Sequence, residues 1–132
     1  IISFYHEKIH FNLLVKLLND LYGIQVRGGC ACAGTYGHYL LEVSYEKSKA
    51  ITDKINHGDL SEKPGWVRWS LHPTMTDKEV HLFLKALEDI VANIHTLEKD
   101  YIYVLKRNEY IHTSEEKDGV KDAIVRDWFM LG

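Results

Sequence analysis

Phe11, Leu14, Leu18 and Leu21 recur at helical spacing, with Lys16, Asn19 and Asp20 on the other side. The pattern predicts an amphipathic helix over Phe11–Tyr22, stopped by Gly23. Val80, Phe83, Leu87, Ile90 (or Val91) and Ile94 predict a second helix, opened by Thr76 and Glu79 at capping-box spacing. A weaker helical pattern runs from Ser44 to His57, with Ile51 and Ile55 as its buried stripe and Gly58 as its stop. Val120, Ile124 and Trp128 suggest a last helix after the charged run Glu115–Gly119.

Between the helices the period changes. Ile1–His6, Ile24–Arg27 and Trp66–Leu71 are short, β-branched or aromatic, and read as strands. In the third, alternation puts Val67, Trp69 and Leu71 on one face and Trp66, Arg68 and Ser70 on the other. Arg27 is expected at a strand end, where Gly28-Gly29 begins a turn. Tyr101–Leu105 and Tyr110–Thr113 flank Lys106-Arg107-Asn108-Glu109 and predict a hairpin. Asp59–Gly65 is a polar loop containing Pro64. Short strands separated by helices imply an α+β domain. The expected form is a small, mostly antiparallel sheet of about three strands with helices packed on one face.

Composition narrows the function classes. The 132 residues are the size of one domain, and 45% apolar with 27% charged is a globular balance. A net charge of −3 gives no basic surface for phosphate neutralisation, so nucleic acid is not an expected partner. Tyr101, Tyr103 and Tyr110 near Lys106 and Arg107 do not alter that. No stretch approaches the roughly 18 apolar residues of a membrane span, and the first residues lack a signal-peptide pattern. No membrane partner is expected, and cytoplasmic is the default location.

Candidate chemistry is concentrated in Arg27–His38, which holds both cysteines and four of the nine glycines. Such a segment reads as a shaped loop. One reading is a reactive thiol, with Arg27 nearby and Arg68 on a neighbouring strand to favour the thiolate. Another treats Cys30 and Cys32 as small buried hydrophobes. A metal site from Cys30, Cys32 and His38 ranks behind both, because the spacing is not a standard zinc pattern. Arg68 either lies along the solvent face or aims its guanidinium fork at a carboxylate. The other histidines read as surface or satisfied core residues, with His10 placed to help start the first helix.

The run Leu17-Leu18-Asn19-Asp20-Leu21-Tyr22-Gly23-Ile24-Gln25-Val26-Arg27-Gly28-Gly29-Cys30-Ala31-Cys32-Ala33-Gly34 resembles the C-terminal domain of class V aminotransferases, nearest the cysteine desulfurase and selenocysteine lyase-like branch. Lys63-Pro64-Gly65-Trp66-Val67-Arg68-Trp69-Ser70 is similar to that domain's next block. The resemblance extends from about Ile1 to about Leu97. It implies a pyridoxal phosphate (PLP) enzyme of fold type I whose small domain closes over a cofactor held by a large domain.

On this resemblance Arg68 binds the substrate carboxylate and Arg27 opens the active-site loop. Cys32 matches the thiol that takes sulfur in one desulfurase branch, with Cys30 a resolving thiol and His38 an accessory group. Cys30 and Ala31 stand where that branch carries histidines. The chain contains no His-Lys pair, and Lys16, Lys49, Lys54 and Lys85 fall in helical patterns, so no residue here is expected to bind the cofactor. The expected partners are the large PLP-binding domain of the same polypeptide and a small amino-acid substrate, in a homodimeric parent. The start at Ile1, without a methionine, fits a single small domain cut from a longer enzyme. The competing expectation is a stand-alone thiol-redox or metal-binding module using Cys30 and Cys32.

Overall fold

The computed structural model describes residues 1–30, 34–105 and 107–114. The chain order is β1 (Ile2–Phe4), α1 (Phe11–Tyr22), β2 (Arg27–Gly29), α2 (Gly34–Leu40), α3 (Tyr45–Asn56), β3 (Trp66–Trp69), α4 (Asp77–Leu97), a short 3-10 turn, β4 (Tyr101–Val104) and β5 (Glu109–His112). This is an α+β arrangement. One antiparallel sheet has the order β1-β3-β2, and β4 and β5 form a separate hairpin. The helix suggested by Val120, Ile124 and Trp128 lies outside the described residues. Among the described residues no helix is long and apolar enough to cross a membrane.

The helices start and stop where their local chemistry dictates. The Asn12 N–H donates to His10 Nδ1 at 3.1 Å, capping α1, and Gly23 closes it at φ 65°. Thr76 and Glu79 form the complete capping box of α4. Ser44 caps α3, and Gly58 follows its end at φ 83°.

The core is the face of the sheet that carries Val67 and Trp69. Leu13, Leu14, Leu17 and Leu18 of α1 and Phe83, Ala86 and Ile90 of α4 pack on it. Trp69 stacks on Phe83 with ring centroids 3.7 Å apart, and Phe4 meets Phe83 edge-on at 5.9 Å. Ile90, not Val91, takes the buried position of the α4 stripe. The hairpin docks on α1: Tyr101 donates to Asp20 Oδ2 at 3.1 Å, and Asn12 Nδ2 donates to Asn108 Oδ1 at 3.1 Å.

Three expectations are corrected. Gly28-Gly29 is not a turn but the body of β2, while Ile24–Val26 precede the strand. The reason is the approach of α1. A Cβ on Gly28 would stand 2.9 Å from Val15 Cγ2 and 3.0 Å from Asn12 Oδ1, so only glycine lets the strand lie this close to the helix. Second, Arg27–His38 is not one loop, because its latter part is helical from Gly34. Third, the helices do not share one face. A Cβ on Gly37 of α2 would lie 3.1 Å from Trp66 Cζ3, so α2 sits on the Trp66 and Arg68 face, opposite α1 and α4.

Candidate carboxylate site

The sheet register brings the two candidate arginines together. Arg27 of β2 is the direct cross-strand partner of Arg68 of β3, Gly28 of Val67, and Gly29 of Trp66. Directly opposed residues project to the same side, with Cβ atoms about 4.5–5.5 Å apart. Gly28 and Val67 therefore face α1, while Arg27, Arg68 and Trp66 face the other way. Ser3 of β1 pairs with Arg68 from its other side. Residues about forty positions apart in sequence thus form one strip across the sheet.

Two like charges opposed across a ladder repel. Among the described residues no hydrogen bond or ion pair engages either guanidinium. The acid–base pairs that do form, such as Lys16 with Asp20 and Lys54 with Glu62, lie elsewhere. The strip is therefore a local concentration of positive charge in a chain of net charge −3.

Arg68 borders two open depressions. One, of about 320 Å³, is lined by Gln25, Val26, Arg27, Arg68 and Ser70. The other, of about 440 Å³, lies between β1, β3 and α2. No carboxylate and no lysine is among the described residues lining either one. Such an arrangement can receive an anion, and the planar guanidinium fork matches a carboxylate.

The cysteine segment begins where this strip ends. Cys30 follows Gly29, is partly buried with a free thiol, and lies beside α2, its Cβ 3.9 Å from where a Cβ on Gly37 would be. Cys32 lies outside the described residues. His38 stands on α2, and its Nδ1 is hydrogen-bonded to Ser48 Oγ of α3. That bond gives the histidine a positioning part, tying α2 to α3. Among the described residues no group of three His, Cys, Asp or Glu side chains is placed to hold a metal ion.

Tyr5, Tyr36, Leu40 and Leu41 were not site candidates on sequence grounds, yet they line the larger depression with Trp66. Tyr36 and Leu40 reach it because α2 forms; Tyr36, Tyr39 and Leu40 stand at helical spacing, but Gly34 and Gly37 weaken that signal. Trp66 was legible, since alternation put it on the face of Arg68.

In comparisons with family models, curated proteins and solved structures, the chain matches none.

Proposed function

We propose that this chain is the small, substrate-contacting domain of a PLP-dependent enzyme of the class V aminotransferase type, acting on an amino acid as a lyase or an aminotransferase. The observation that carries this reading is the cross-strand pairing of Arg27 with Arg68. A carboxylate received between two guanidiniums neutralises their repulsion and makes charge-assisted hydrogen bonds, about 1.5–3 kcal/mol each. Arg68, central in the sheet and bordering both depressions, is the clamp. Arg27, on the outer strand next to the cysteine segment, orients the substrate or holds that segment.

The described side chains around the strip fit a substrate carboxylate and do not fit the cofactor, for no lysine lines it. This reading assigns PLP to a large domain of the same polypeptide, within a homodimer. Cys32 takes the part of nucleophile in the lyase form, with Cys30 as the resolving thiol.

The reading frame upstream of Ile1 tests the proposal. It is expected to encode a large alternating β/α region with a lysine following a histidine, and a frame without one would overturn the reading. In the full-length enzyme, Arg68→Gln is expected to raise KM for the amino-acid substrate about 10–100-fold, the worth of one charge-assisted bond. An unchanged KM would remove Arg68 from substrate binding. Unaltered sulfur release from cysteine by Cys32→Ala would remove the nucleophile assignment.

A further inference from the structure

We infer that the larger depression beside Arg68 is a side-chain subsite, and that the acid it receives carries an aromatic or bulky aliphatic side chain. This rests on the reading of Arg68 as a carboxylate clamp and adds the class of substrate. The walls include Tyr5, Tyr36, Leu40, Leu41 and Trp66, with Ser3 beside them and Arg68 the one charged side chain among the described residues that line it. The volume, about 440 Å³, falls in the range of small-molecule sites, about 300–1,000 Å³, and exceeds what a benzene ring fills. A small polar side chain would leave these walls wet, whereas a phenyl or isobutyl group would displace that water.

Three features make this a built cavity rather than incidental surface. Trp66 is held by Gly37 of α2, whose missing side chain lets the helix lie on the indole. Pairing of Ser3 with Arg68, and alternation along β3, put Ser3, Trp66 and Arg68 on the same side, so wall and cation share one sheet face. The charge complementarity is one-sided: among the described lining residues a cation stands with no acid beside it and mostly apolar walls around it, which selects a ligand that is anionic at one end and apolar at the other. Within the proposed enzyme this favours amino-group transfer on an apolar amino acid, or on the corresponding 2-keto acid, over chemistry on cysteine.

Binding of simple acids to the 132-residue chain tests the inference, read from tryptophan fluorescence and the Trp66 indole N–H resonance. 3-Phenylpropionate is expected to bind at least about tenfold more tightly than propionate. Arg68→Gln should weaken both acids. Leu40→Ser and Tyr36→Ser should reduce the ratio of 3-phenylpropionate to propionate affinity to near one. These two positions are 49% and 57% exposed, so neither change threatens the core. 2-Phenylethanol should bind more weakly than 3-phenylpropionate.

Equal affinity for the two acids, with Arg68→Gln still weakening both, would overturn the subsite and leave the clamp standing. Binding of neither acid, or binding indifferent to Arg68→Gln, would overturn the clamp and the subsite with it. Self-association that excludes 3-phenylpropionate would show a second copy covering the cavity and would also overturn the subsite.

Discussion

The ring of Phe11 occupies the space that a side chain at Gly65 would need. A Cβ there would come within 2.5 Å of Phe11 Cε1 and 2.7 Å of Cζ. Phe11 is the first residue of α1 and Gly65 immediately precedes β3, so this contact sets how closely helix and sheet approach. A Cβ at Gly28 would likewise stand 3.1 Å from Phe11 Cδ2, so both glycines make room for the ring. Gly65→Ala is expected to destabilise the fold by about 1–3 kcal/mol in urea unfolding. The double variant Phe11→Leu/Gly65→Ala should recover part of that loss, and strictly additive costs would remove the clash as the cause.

His10 couples the start of α1 to pH. Its Nδ1 accepts the Asn12 N–H, which fixes the proton on Nε2, and its ring stacks on Phe11 at 4.5 Å with Tyr103 and Tyr110 close by. Nε2 is enclosed without a well-formed hydrogen bond. Burial pushes the imidazole below its ordinary 6.5, and the Ser61 backbone offsets only part of this. The unfolded chain therefore binds the proton first. Stability from neutral His10 is complete above about pH 6.5 and is lost as pH falls through the lower folded value. Melts between pH 5 and 8 should show a steeper acid loss for the native chain than for His10→Asn, which keeps a capping acceptor. Superimposable pH slopes would clear His10 of this role.

The opposed arginines should trade stability for binding. Replacing either Arg27 or Arg68 by Gln removes a cross-strand repulsion and is expected to stabilise the free chain by about 0.2–1 kcal/mol at low salt. The gain should shrink as salt rises. The native chain should in turn gain thermal stability when 3-phenylpropionate is added, by mass action, and the Arg68→Gln chain should not. Thermal scans across a salt and ligand series check both halves. A destabilised Arg27→Gln chain at low salt would mean the pair is held by something other than a bound anion.

The cap of α4 is a local device that can be measured alone. Thr76 Oγ1 accepts the Glu79 N–H, and the Glu79 carboxylate accepts the Thr76 N–H at 2.7 Å. The bonds that the carboxylate accepts, from the Thr76 N–H first and the Thr76 hydroxyl second, hold the Glu79 carboxyl below its usual range. Thr76→Ala is expected to cost about 1 kcal/mol. Thr76→Asp should cost much less. Equal losses for the two would show that the cap contributes nothing.

Periodicity and capping residues located α1, α3 and α4 because their signals are local: apolar spacing, Gly23, Ser44, and Thr76 with Glu79. The alternation of Trp66 to Trp69 likewise told which residues face the core. What escaped were features set by distant partners. Gly28-Gly29 carries turn chemistry in isolation and becomes strand by pairing with Val67 and Trp66, with Gly28 also making room for α1. α2 has a short apolar stripe, Tyr36, Tyr39 and Leu40, diluted by two glycines, and its place on the sheet is marked by Gly37 meeting Trp66. The site followed the same division. Arg27 and Arg68 were each legible as candidates, but their pairing is a property of register, which hairpin-free strands do not encode locally. The apolar cavity depends on both α2 and that register, so no single stretch of chain could announce it.

The outer strands of the sheet, β1 and β2, each run only three residues, Ile2–Phe4 and Arg27–Gly29. An open strand edge is a template on which another chain can add, and its length and flatness set the hazard. Here one edge offers an arginine and two glycines. The first repels a copy of itself, and the others give an incoming strand no side chains to pack on. The residues that let α1 approach and that gather positive charge therefore also blunt the β2 edge of the sheet against the addition of another strand.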